Sequence, residues 1–144
     1  MPSTERKEPD MTDITITQAH AAITAAEEKA QELGVPSTIT VLDRGARLVA
    51  VARQDGAPLV SVDASAAKAR TAVSFGAASG DLSGAVQPGA PLYSLWAASQ
   101  EPLTFVAGGV PVRDADGHVI GGIGSSGGSP DQDLEIANAA VAAL

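Results

Sequence analysis

The hydrophobic period changes several times along the chain, and each change marks an element. Residues 14–16 (Ile-Thr-Ile) read as a short strand, with Thr17 as the N-cap of a helix. Ala19, Ala22, Ile23, Ala26, Ala30 and Leu33 then recur at helical spacing. Glu27, Glu28, Gln31 and Glu32 lie off that stripe, and Gly34 supplies the stop. Two β-rich runs, Ser37–Leu42 and Arg47–Arg53, flank Asp43-Arg44-Gly45-Ala46 and predict a hairpin. Beyond a loop at 54–58, a helix is expected from about Val60 to Phe75, facing inward through Val62, Ala66, Ala69 and Val73. Gly76–Pro91 has little periodicity and room for one short helix near 81–86, and residues 92–102 fit neither period. A second hairpin spans Leu103–Val112, a turn at 114–117 and His118–Ser125, and a helix from Pro130 to about Ala143 follows it.

The resulting order, β-α-β-β-α-β-β-α, carries two tight hairpins. It predicts an antiparallel five-stranded sheet flanked by helices, an α/β (α+β) sandwich. Residues 13–144 read as one domain behind a solvated tail at 1–12, which has no apolar stretch and so does not read as a secretory signal.

Composition narrows the function classes. The chain has 144 residues, enough for one domain, and 28 of its hydrophobic residues are alanine. The core must therefore form by close approach of small side chains. There is no cysteine, which excludes disulfides, thiolate nucleophiles and cysteine-bound metals. A net charge of −8 and four aromatic residues (Phe75, Tyr93, Trp96, Phe105) argue against nucleic acid as a partner. No run reaches the roughly 18 apolar residues of a membrane span, and the expected compartment is the cytoplasm.

Candidate chemistry is sparse. Residues Gly122–Gly127 spell G-x-G-x-x-G after a strand, but the βαβ unit and the later acidic residue of a dinucleotide site are missing. Ser129, Pro130 and Gln132 form a helix-capping box, with Asp131 and Asp133 set against the helix dipole. His20 and His118 share no metal-ligand spacing. His118 follows a turn and reads as solvated, whereas His20 lies about 100° from the apolar stripe of its helix, beside Thr24, Glu27 and Gln31. No nucleophile elbow accompanies the serines. Arg53 could pair with Asp55 across a turn, and Lys68 lies off its helix's apolar stripe, where a solvated lysine is the plain reading.

Taken together, the blocks Asp43–Ala50, Arg53–Ala57, Ala67–Thr71 with Phe75, Gly108–Pro111, Gly121–Gly127 and Gln132–Ala137 resemble, in order and spacing, the haem-binding/GlcG-like (HbpS-like) family. That family also occurs as the C-terminal domain of some corrinoid adenosyltransferases. The resemblance runs from about Ile14 to Leu144. It implies a profilin-like three-layer sandwich, assembly as a dimer-based homo-oligomer, and haem or a related tetrapyrrole as cofactor, with haem degradation in some members. It carries site roles onto Arg53 and Lys68 as the catalytic cations, and onto Asp55, Gly108, Gly109, Pro111, Ser126 and Gly127 as pocket residues. If haem binds, His20 is the chosen iron ligand, because a neutral imidazole is a common haem ligand and the chain has no cysteine and no useful methionine.

Two other readings stay open. One is a metal-independent lyase, isomerase or hydratase acting on a carboxylate-bearing metabolite. There the Gly108-Gly109 and Gly124–Gly127 amides would form an oxyanion site, and Arg53 or Lys68 would hold the carboxylate. The other is a non-catalytic accessory oligomer. On the sequence, the ligand site is expected where the 108–111 loop meets the 124–127 turn, with Arg53 and Lys68 supplying positive charge.

Overall fold

A computed structural model describes residues 12–144; the expected tail falls almost wholly outside them. Its elements are α1 (Ile16–Leu33), β1 (Thr38–Asp43), β2 (Leu48–Arg53), α2 (Ser61–Phe75), β3 (Gly109–Arg113), β4 (Val119–Ser126) and α3 (Pro130–Ala142), with short 3-10 turns at Ser83–Val86 and Leu95–Ala98. The sheet is antiparallel with order β2-β1-β4-β3. Among the described residues it has four strands, which corrects the expected five.

The missing strand is the Ile-Thr-Ile run. Thr15, not Thr17, caps α1: its hydroxyl accepts from the Gln18 amide, and the Gln18 side chain answers the Thr15 amide. This reciprocal capping outweighs the β-propensity of three residues. Ile14 keeps one backbone bond to the Ile120 carbonyl.

Alternation along each strand builds two different faces. Ile39, Val41, Val110, Val112 and Ile123 point toward α1 and α3 and are buried there with Ala19, Ala22, Ala26, Ala30, Ile136, Ala137 and Ala140. The alanine stripe lets α1 and α3 lie together beneath the sheet. The opposite face carries Thr38, Thr40, Gly122 and Gly124, and α2 covers it.

That second interface is largely polar, which corrects the expected face of α2 in part: Ala69 and Val73 of the expected stripe do lie against Gly122 and Gly124. Ser61, Ser65, Lys68, Ala69 and Ala72 turn inward, while Val62 is exposed. Thr38 and Ser61 share a hydrogen bond of 2.7 Å, and Thr40 and Ser65 one of 2.8 Å. A hydroxyl buried without a partner costs about 1–3 kcal/mol, so a threonine row on β1 selects serines on α2.

The strand expected from Leu103 begins only at Gly109. Side-chain contacts hold residues 103–108 as a loop instead. The Thr104 amide donates to Thr71 Oγ1, Ser79 Oγ donates to the Val106 carbonyl, and Phe105 packs on Phe75 at a centroid distance of 5.7 Å.

Candidate ligand-binding site

One end of the sheet gathers most of the predicted site. Thr38 at the start of β1 pairs with Arg53 at the end of β2 on one side and with Ser126 at the end of β4 on the other. The Ser125 amide reaches the Gly108 carbonyl just before β3, and the 127–129 turn enters α3 at the same end. The last turn of α1 arrives there too, because Gly128 lies against Val35.

Lys68 does not face solvent at this end. Its side chain is 5% exposed, and its Nζ donates to Asp133 Oδ2 at 2.8 Å and to the Ser125 carbonyl at 3.2 Å. Asp133, 3% exposed, takes the Gly128 amide on its other oxygen. The expectation of a solvated Lys68 outside the core is therefore corrected. Its charge is matched inside the protein, and the pair ties α2, β4 and α3 together. Asp133 likewise does more than complement the α3 dipole. No local pattern signals this pair, since the two residues are 65 positions apart.

The glycines divide by role. A Cβ on Gly124 would lie 1.9 Å from the Ser65 carbonyl oxygen, and one on Gly109 would lie 2.2 Å from that of Lys68. These positions are empty of side chains because the α2 backbone rests on them. Gly108, at φ 130, sits against Lys68 Nζ, Ser125 and Asp133, and Gly127 packs on Pro36 and Ser37. Close packing of helix and strand, rather than an open amide-lined loop, occupies the junction of 108–111 with 124–127. Pro111 is half-buried on β3, away from Arg53 across the full width of the sheet.

The open space lies beside that junction. A cleft of about 490 Å³ runs between the last two turns of α1 and the end of β2, lined among others by Glu27, Gln31, Pro36, Arg53, Gln54 and Asp55. Gln54 fixes its floor: Oε1 accepts from the Ser37 amide at 2.9 Å, and Nε2 donates to the Glu27 carbonyl at 3.3 Å. Arg53 and Asp55 both line the cleft, but no ion pair joins them among the described residues. Glu27 and Gln31 were visible in the sequence only as the polar flank of α1.

His20 lies on that same flank but near the other end of α1. It is exposed and makes no hydrogen bond or ion pair among the described residues. At 1.5 Å per residue, it stands roughly 20 Å along the helix axis from Gly34 at the cleft. His118 is solvated as expected, with Nδ1 3.5 Å from Asp114. No helix among the described residues is long and apolar enough to cross a membrane.

These features define an α+β protein whose antiparallel sheet carries helices on both faces, with a polar cleft at the sheet end. Residues 14–142 match the family described as haem degrading protein HbpS-like, and the chain belongs to that family. It is 38% identical over 138 residues to the corrinoid adenosyltransferase PduO of Salmonella typhimurium, covering 96% of this chain but 41% of PduO. The chain thus spans under half the length of that relative. Among solved structures, Klebsiella pneumoniae protein ORFY superposes with a TM-score of 0.90 at 35% identity, covering 98% of this chain and 97% of its own. The PduOC:heme complex superposes with a TM-score of 0.86 at 38% identity, covering 92% and 96% respectively.

Proposed function

We propose that this protein binds haem or a related tetrapyrrole. The observation that carries the reading is the haem complex of PduOC, to which this chain is 38% identical over nearly its whole length. The residues present fit such a ligand. His20 offers an imidazole with no competing partner among the described residues, suited to iron. On β2, Leu48 and Val51 form an outward row that no helix covers, 64% and 45% exposed, and the row ends at Arg53. An apolar row ending in a guanidinium suits a macrocycle with carboxylate arms, and Arg53 rather than the internally paired Lys68 would hold a propionate. When bound, haem supplies an iron centre for redox or oxygen chemistry, and these residues bind and orient it.

The reading includes a homo-oligomer built from dimers, in which the uncovered β2 row of Leu48 and Val51 would be covered by a second copy. Light scattering should give a mass at least twice 14.3 kDa at micromolar concentration, and a strict monomer would remove this part.

A hemin titration followed by visible absorption tests the main reading. We expect a shifted Soret band that saturates at one haem per chain. Nonspecific broadening without saturation would overturn the reading and favour a metal-independent enzyme or a non-catalytic accessory oligomer. The family's description favours a second step, haem degradation. Progressive loss of the bound Soret band on adding ascorbate, with a released tetrapyrrole product, would support it, and a stable ferrous spectrum would not.

A further inference from the structure

We infer that the cleft between α1 and β2 is a binding site for a small zwitterion, a molecule carrying both an ammonium and a carboxylate group. The inference goes beyond haem binding and stands on the cleft alone. Its volume, about 490 Å³, falls within the usual range for small-molecule sites. Its walls carry charges of both signs: Glu27 from α1, and Arg53 and Asp55 from the end of β2 and the loop after it. None of the three has an ion-pair partner among the described residues. By contrast Lys29, also on α1, pairs with both Glu32 and Glu135. Here Glu27, Arg53 and Asp55 line one cleft, and no ion pair joins them.

The lining also discriminates among ligands. A simple anion such as acetate would meet Arg53 but also two carboxylates, in a chain of net charge −8. A simple amine would meet the carboxylates but also the guanidinium. A ligand with both groups pairs each charge with its opposite: carboxylate on Arg53, ammonium between Glu27 and Asp55. Bidentate guanidinium–carboxylate contact and charge-assisted ammonium contacts are the stronger classes of hydrogen bond. The floor is built in advance, because Gln54 spends both ends of its amide on backbone groups and Pro36 stiffens the adjoining turn. Ordering the site on binding therefore costs little.

Isothermal titration of the haem-free protein with 4-aminobutanoate, 5-aminopentanoate and 6-aminohexanoate tests the inference, with pentanoate and pentylamine as single-charge controls. At least one amino acid should bind at least tenfold more tightly than either control. Arg53→Ala and the pair Glu27→Gln with Asp55→Asn should each weaken it at least fivefold, at an unchanged thermal midpoint. Equal affinity for the controls, no heat at millimolar ligand, or variants that bind as the parent does would overturn it. Because hemin is absent, failure here leaves the haem reading standing, and a failed hemin titration leaves this one.

Discussion

At the scale of single residues, the Lys68–Asp133 pair is the feature most exposed to test. Both groups are removed from water, so deleting one leaves the other charged and unmatched. Lys68→Met or Asp133→Leu should each cost about 3–5 kcal/mol in denaturant unfolding, while the double variant should recover much of the loss. A double-variant loss equal to the sum of the two single losses would show that the pair is not coupled. The same pair explains why a site centred on Lys68 could be written from sequence and not found in the fold. A lysine among alanines on a helix looks solvated unless its partner is visible, and Asp133 already had a local explanation as a capping-turn carboxylate. Arg53 and Asp55 did reach open space, because a strand end and the loop after it are placed by the hairpin that the sequence spells.

Elements show the same division. Helix α1, the first hairpin and α3 were legible because periodicity, turn residues and capping boxes agree there. Helix α2 was legible in extent and only partly in orientation: Ala69 and Val73 do face the sheet, but the serines that pack there are selected by the threonines opposite. Gly124 tests this packing: in Gly124→Ala the new methyl meets the Ser65 carbonyl oxygen, and the loss should exceed the roughly 1–3 kcal/mol usual for overpacking. Gly84→Ala, with open space around it, should stay within about 0.5 kcal/mol as a control. In the β3–β4 turn, the His118 amide, foremost, and the Asp116 amide hold the Asp114 carboxyl below its usual 3.8. A carboxyl depressed on folding stabilises above the unfolded value and loses that contribution as pH falls through the folded one. The turn should therefore stay ordered at pH 4 and loosen only in stronger acid. An NMR titration of Asp114 with a midpoint at or above 3.8 would contradict this.

For the whole molecule, the central claim is that a haem is held through His20, a residue the fold leaves on the outer flank of α1. Family and sheet geometry reach only to the kind of ligand; the iron ligand is a matter of one side chain. The direct measurement is the electron paramagnetic resonance spectrum of the ferric haem-loaded protein, compared among the parent, His20→Ala and His118→Ala. The account predicts that His118→Ala keeps the parent spectrum, while His20→Ala, still folded, loses the imidazole-ligated signal and binds hemin at least tenfold more weakly. A His20→Ala spectrum and affinity equal to the parent's would contradict it.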